Sequence, residues 1–188
     1  MSIKALVSKY QSIGLITSSL LVGAIITFIA LPFLTRLYSV HDFGQYGVAL
    51  AIVSVLSTIA NLRLDQAQLV ADDADQKSLI FEGSAFSLIF CILSAVVLSF
   101  FFDSSMILAI CFGVLSNTVL QSLYNYKFAH EAEVFCAGLN IYRSLIVVVA
   151  QLSLPLFMSI SLVNSYAVSS VIMLFTVLFY IVLHSLYQ

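Results

Sequence analysis

Six apolar stretches follow one another along the chain, at residues 11–34, 46–62, 83–102, 106–123, 144–158 and 163–186. Asp, Glu, Lys and Arg are confined to their edges and to the segments between them. A helix that crosses a bilayer needs roughly 20 mainly apolar residues at about 1.5 Å rise each. A charge held at its centre costs about 2.5–3.5 kcal/mol on insertion scales. The pattern predicts an all-α membrane protein, a bundle of about six transmembrane helices. No Pro/Gly-rich linker or change of composition divides it, so residues 1–188 read as one domain.

Composition narrows the class. The chain is 62% hydrophobic and only 9% charged, with a mean hydropathy of +1.11. Soluble domains carry about 25% charged residues, and this chain has too few to coat a globule in water. The net charge of -2 and the lack of a basic tract exclude serial contacts to phosphates, hence nucleic acid as a partner. The opening MSIKALVSKYQ is short and basic, and more than 20 apolar residues follow it. That run exceeds the ~7–15 residues of a cleaved signal peptide and is expected to remain as a helix.

Basic residues in short connections stay on the cytoplasmic side. Lys4, Lys9, Arg63, Lys77, Lys127 and Arg143 fall on one side of the predicted bundle, with only Arg36 on the other. The expectation is a multi-pass protein of the bacterial inner membrane with both termini cytoplasmic. The inner connections, 63–82 and 124–143, read as the long ones. The outer ones read as short turns, apart from RLYSVHDFGQYG.

Little in the apolar stretches suggests catalysis. No HExxH, GxSxG or pair of acids at helical spacing occurs, so no enzyme is expected. No ionisable side chain stands at a predicted helix centre, which argues against a proton or sodium relay. His41, His130 and His184 are isolated, and Asp72, Asp73 and Asp75 read as a solvated run, so neither metal nor cofactor is expected. Cys91, Cys111 and Cys136 match neither a redox pair nor a zinc set, and read as small buried hydrophobes.

Several polar or special residues remain. Ala109, Gly113, Asn117 and Gln121 recur every four residues and so share one helix face. That face serves either close helix packing or a polar wall along a substrate path. Thr17, Ser18 and Ser19 near Gly14 and Gly23 form a similar face, unless their hydroxyls bond their own backbone. Pro32 and Pro155, near the outer ends of the first and fifth helices, either kink a cavity-lining helix or terminate it. Tyr38, Phe43 and Tyr46 are placed at the outer interface, Asp42 at the cap of the second helix, and Gly44 in a tight turn. Arg36 and Arg63 stand at opposite ends of the first hairpin, where they can snorkel toward headgroups.

The segment 31–76, LPFLTRLYSVHDFGQYGVALAIVSVLSTIANLRLDQAQLVADDADQ, resembles the N-terminal signature of the polysaccharide biosynthesis proteins that act as O-antigen flippases. These belong to the multidrug/oligosaccharidyl-lipid/polysaccharide exporter superfamily. The resemblance rests on Arg36-Leu37-Tyr38, Asp42-Phe43-Gly44, Tyr46, and Leu62-Arg63 with Asp65 two positions on. It continues with an Arg opening the fifth helix, Arg143, and Gln151 beyond it, and spans about residues 10–156. HEAEVF departs from it, standing where such proteins carry several basic residues.

The resemblance implies a two-lobed fold around a cavity open to alternate sides, of which this sequence holds helices for one lobe. It implies transport of an undecaprenyl-pyrophosphate-linked oligosaccharide across the membrane for lipopolysaccharide O-antigen synthesis. The lobe would be a truncated, split or half-length flippase working with a second lobe or a second copy of itself. Arg36, Arg63 and Arg143 become candidate pyrophosphate partners, since guanidinium binds phosphate in bidentate fashion. Asn117 and Gln121 become candidate polar contacts. The alternatives are a non-transporting membrane subunit or inactive remnant, and a small-molecule exporter of the same superfamily.

Overall fold

The computed structural model describes residues 3–62, 64, 67, 73–130, 132–157 and 161–186. Six helices make up almost all of these: α1 Ile3–Leu37, α2 Val40–Ala60, α3 Asp73–Leu98, α4 Ser104–Ala129, α5 Glu133–Phe157 and α6 Leu162–Leu186. Each contains a stretch long and apolar enough to cross a membrane. The chain is an all-α, multi-pass membrane protein. One end of the bundle, called here the turn end, carries the α1–α2, α3–α4 and α5–α6 connections.

The helices overrun the apolar stretches that announce them. α3 begins at Asp73 rather than at 83, and α5 at Glu133 rather than at 144. The expected long connection at 124–143 shrinks to residues 130–132 between α4 and α5. Apolar runs mark only the part of a helix that meets hydrocarbon, whereas the hydrogen-bond ladder continues wherever a polar residue can reach water or a polar partner. Arg143 therefore lies within a span, not in a connection. Of the other five basic residues assigned to that side, Lys4, Lys9 and Lys77 precede their spans, Lys127 lies in the last turn of α4 and Arg63 is outside the described residues; Arg36 lies in the last turn of α1.

α4 is the central helix. It packs against α2, α3, α5 and α6, and 56% of its membrane window is buried, against 17% for those of α1, α2 and α3. Lipid is as apolar as a leucine side chain, so association in a bilayer depends on close packing and interhelical hydrogen bonds. α4 supplies Ala109 and Gly113 for this, both buried. A Cβ added at Gly113 would stand 2.9 Å from the Tyr166 hydroxyl of α6 and 2.9 Å from a Val53 methyl of α2. Ala49, Val53, Ile110, Val114, Val163 and Tyr166 pack around this crossing.

α1 lies along α5. Gly23 permits this approach, since a Cβ there would meet the Ser144 hydroxyl at 2.5 Å. Asn140 of α5 donates to Ser19 of α1 at 3.2 Å. The outer faces of α1 and α3 are lined with exposed apolar side chains, among them Phe28, Ile29, Ile89 and Leu93. In water this surface would aggregate; in a bilayer it is the lipid contact.

The α1–α2 turn differs from its expected form. Ser39 is the N-cap of α2, and Asp42 completes a capping box by accepting from the Ser39 backbone N–H at 3.1 Å. Tyr38 is buried instead of anchoring at an interface. Its hydroxyl lies 2.8 Å from the Gln151 backbone carbonyl, to which it donates, and 3.0 Å from Ser165 Oγ. Tyr46 is likewise turned inward and meets Tyr166 edge to face at 5.5 Å. At the other end of α2, Leu62 takes φ 45°, a left-handed residue closing the helix.

Candidate functional site

A polar cleft of about 400 Å³ lies among five helices. α1 contributes Thr27, α2 Tyr46 and Ser54, and α4 Ser116 and Asn117. α5 adds Arg143 and Ser144, and α6 adds Tyr166, Ser169 and Ser170. The apolar residues Leu50, Val53, Leu120, Val147 and Met173 complete its walls.

Arg143 dominates the chemistry. It stands ten residues after Glu133 and thirteen before Leu156, so about 15 Å along its span and close to the middle. The expectation that no ionisable side chain occupies a helix centre is overturned. Counting an unbroken apolar run ends the helix at Arg143, but a charge that faces a polar cleft does not interrupt a membrane helix.

The guanidinium donates from one terminal nitrogen to Asn117 Oδ1, at the centre of α4. Among the described residues it forms no ion pair with a carboxylate. A guanidinium has five N–H donors in a rigid fork, and Asn117 takes one of them. The rest of its donor capacity is directed at the cleft, where Arg143 remains exposed. Tyr46 and Tyr166 lie within reach of its field.

The hydroxyls around it are arranged in one sense. Thr27 donates to the Gly23 carbonyl, Ser54 to Ala51, Ser116 to Gly113, Ser144 to Asn140 and Ser169 to Tyr166. Each spends its only hydrogen on its own helix, leaving oxygen lone pairs to accept. The cleft thus presents one strong cationic donor and a ring of acceptors.

Tyr38, Tyr46 and Gln151 lie toward the turn end. Gln151 is 3% exposed, and its side-chain Nε2 has no partner among the described residues. Burial pushes the Tyr38 phenol above its ordinary value of 10.0, and the Ser165 hydrogen bond opposes this in part. Gln151 is two turns beyond Arg143 on the same face of α5, with Val147 between them.

The other candidates separate. Asn117 joins Arg143 in the cleft, whereas Gln121 is exposed outside it and bonds Asn125 at 3.4 Å. The α4 face is therefore divided: Ala109 and Gly113 pack, Asn117 lines the cleft. Arg36 is exposed in the last turn of α1, and Arg63 lies outside the described residues. The acidic residues Asp72, Asp73 and Asp75 also lie outside what is described of side chains. Pro32 and Pro155 both sit inside their helices and neither lines the cleft. Ser18 and Ser19 bond the carbonyls of Leu15 and Ile16, their own backbone.

Sequence reasoning did not find Tyr166, Ser169 and Ser170 of α6. Ser165, Ser169 and Ser170 fall among aliphatic residues, and only the neighbouring Arg143 gives some of them a polar setting. Comparison with family models, with curated proteins and with solved structures finds no match to this chain.

Proposed function

We propose that this chain is one lobe of a transporter that moves an anionic, hydroxyl-rich amphiphile between membrane leaflets. The observation that carries the reading is Arg143: a guanidinium near mid-span, aimed by Asn117, exposed to a polar cleft and without an ion pair among the described residues. An uncompensated charge at that depth costs several kcal/mol on insertion scales unless water or an anion meets it. A phosphate or pyrophosphate suits the guanidinium fork. The surrounding acceptor oxygens suit the O–H groups of a sugar. A lipid-linked oligosaccharide has both, and its chain can stay in the bilayer while the head passes through the cleft.

This chemistry agrees with the flippase resemblance carried by residues 31–76, and the cargo we assign is an undecaprenyl-pyrophosphate-linked glycan. We place a second lobe, or a second copy of the chain, opposite the cleft, because Arg143 cannot face hydrocarbon at low cost. We assign the protein to the bacterial inner membrane with both termini cytoplasmic, on the basic residues that the chain order gathers at that end, Lys4, Lys9, Arg63, Lys77 and Lys127, against Arg36 at the other.

The test is a leaflet-transfer assay in vesicles holding the full chain and a fluorescent polyprenyl-pyrophosphate sugar. Transfer is read as protection from a membrane-impermeant quencher. Arg143→Ala is expected to lower the rate at least tenfold, with Arg143→Lys intermediate because it keeps charge but loses the fork. Transfer by Arg143→Ala at the parental rate would remove the basis of the proposal.

A further inference from the structure

Two of the three cysteines, widely separated in sequence, meet in the bundle. Cys91 of α3 has its sulfur 3.6 Å from the Cys111 carbonyl oxygen, and Cys111 of α4 has its sulfur 3.9 Å from the Cys91 carbonyl oxygen. The contact is reciprocal. Both residues lie at the same depth. Cys91 is seven residues before the end of α3 and Cys111 seven after the start of α4, each about 10 Å from the turn end. Cys136 is elsewhere, buried with its sulfur 3.5 Å from the Tyr124 carbonyl.

Expected as inert filler, the first two cysteines are instead matched across a helix pair. Joining two cysteines requires nearby backbones and side chains that face each other, with Cα atoms usually within about 7 Å. Each sulfur here already lies beside the other residue's backbone carbonyl, which brings the two side chains to the same place on the α3–α4 contact. Their surroundings set the kind of oxidant. The α3 face beside Cys91 carries exposed Leu88, Ile92 and Leu93, a surface for lipid and not for water. Cys91 is buried and Cys111 half-buried behind this apolar face, so a charged oxidant in water is kept away and the class suited to approach is one that dissolves in hydrocarbon.

We propose that Cys91 and Cys111 form a dithiol modification site, converted by a lipid-soluble quinone to a disulfide joining α3 to α4. The two S–H bonds break and one S–S bond forms. Two electrons and two protons pass to the quinone, which leaves as the hydroquinone. The product ties α3 to the helix that carries Asn117, without involving the cleft itself. This site stands independently of the transport reading, since the assay below measures no transport.

The experiment uses the full chain in lipid vesicles, treated with a short-chain ubiquinone analogue and then unfolded in SDS. Remaining thiols are counted with a maleimide mass tag, and linked peptides are mapped by mass spectrometry with and without reductant. The parent should lose two of its three titratable thiols and yield a reductant-sensitive peptide pair containing Cys91 and Cys111. Cys136→Ser should lose both of its thiols, while Cys91→Ser and Cys111→Ser should each keep both. Should a serine variant not remain monodisperse, Cys91→Ala and Cys111→Ala make the same comparison. Three thiols surviving saturating quinone, or thiol loss persisting in Cys91→Ser, would overturn the assignment.

Discussion

The Arg143–Asn117 hydrogen bond makes a quantitative prediction that needs no knowledge of cargo. Replacing Asn117 with Leu removes the only hydrogen bond described for a guanidinium near the middle of its span. A hydrogen bond to a charged group contributes about 1.5–3 kcal/mol net. Arg143 is exposed to a cleft that water can enter, so a value around the lower end of that range applies, about 1–2 kcal/mol. Replacing Arg143 with Met acts differently, because it also removes a charge that costs about 2.5–3.5 kcal/mol at a helix centre on insertion scales. Arg143→Met should therefore be neutral or stabilising, even with Asn117 Oδ1 left unpaired. Asn117→Leu should be destabilising alone and close to harmless when combined with Arg143→Met. Unfolding midpoints in mixed micelles, measured for parent, both singles and the double, give the coupling energy. A coupling of about 1–2 kcal/mol is expected. Additivity within the ~0.5 kcal/mol typical of independent sites would refute the argument that Asn117 holds the guanidinium.

Two further predictions concern packing and the α1–α2 turn. Gly113→Ala should cost about 1–3 kcal/mol of stability, in the range for overpacking, because its methyl meets a tyrosine ring and a valine methyl that are themselves packed. Gly23→Ala should cost less despite a nominally shorter contact, since Ser144 can rotate its hydroxyl away; equal losses in a thermal unfolding series would contradict this. Tyr38→Phe should cost about 1–2 kcal/mol by taking from the Gln151 backbone carbonyl the hydroxyl that donates to it. Because the folded Tyr38 titrates above 10.0, its unfolded form loses a proton first as pH rises. Stability should thus be flat in this respect below pH 10 and fall above it, and Tyr38→Phe should lessen that fall in an alkaline unfolding titration.

The number and type of helices were legible because hydrocarbon imposes one simple demand, about 20 apolar residues in succession. Helix ends were not, because that demand stops where hydrocarbon stops. α5 shows the consequence. Its first ten residues, Glu133 to Tyr142, are mixed in polarity and read as a connection, which moved Arg143 from mid-span to an edge. Arg143 and Asn117 were each legible as candidates by residue type, but not as partners. They are 26 positions apart, and their contact depends on how α4 and α5 are rotated about their axes. In a lipid-bathed bundle that rotation is weakly encoded, since apolar residues cover both the lipid face and the packed face. The same reasoning explains Cys91 and Cys111, whose pairing follows from equal depth in an antiparallel hairpin.

The position of the cleft follows from what holds α1. This helix is attached along α5, by the Gly23–Ser144 approach, the Asn140–Ser19 hydrogen bond and the Tyr38 bond to the Gln151 carbonyl. All three contacts lie on α5 around Arg143: Asn140 and Ser144 within one turn, Gln151 two turns on. α2 is committed instead to α4 and α6 through Val53, Gly113 and Tyr166. Two helices adjacent in sequence are thus bound to different neighbours, and Thr27 and Ser54 line the space between them with Arg143. A guanidinium at that depth is tolerable only in such a gap. The close-packing residues and the charged residue are therefore parts of one arrangement, and loosening α1 from α5 should alter the surroundings of Arg143 before it unfolds the bundle.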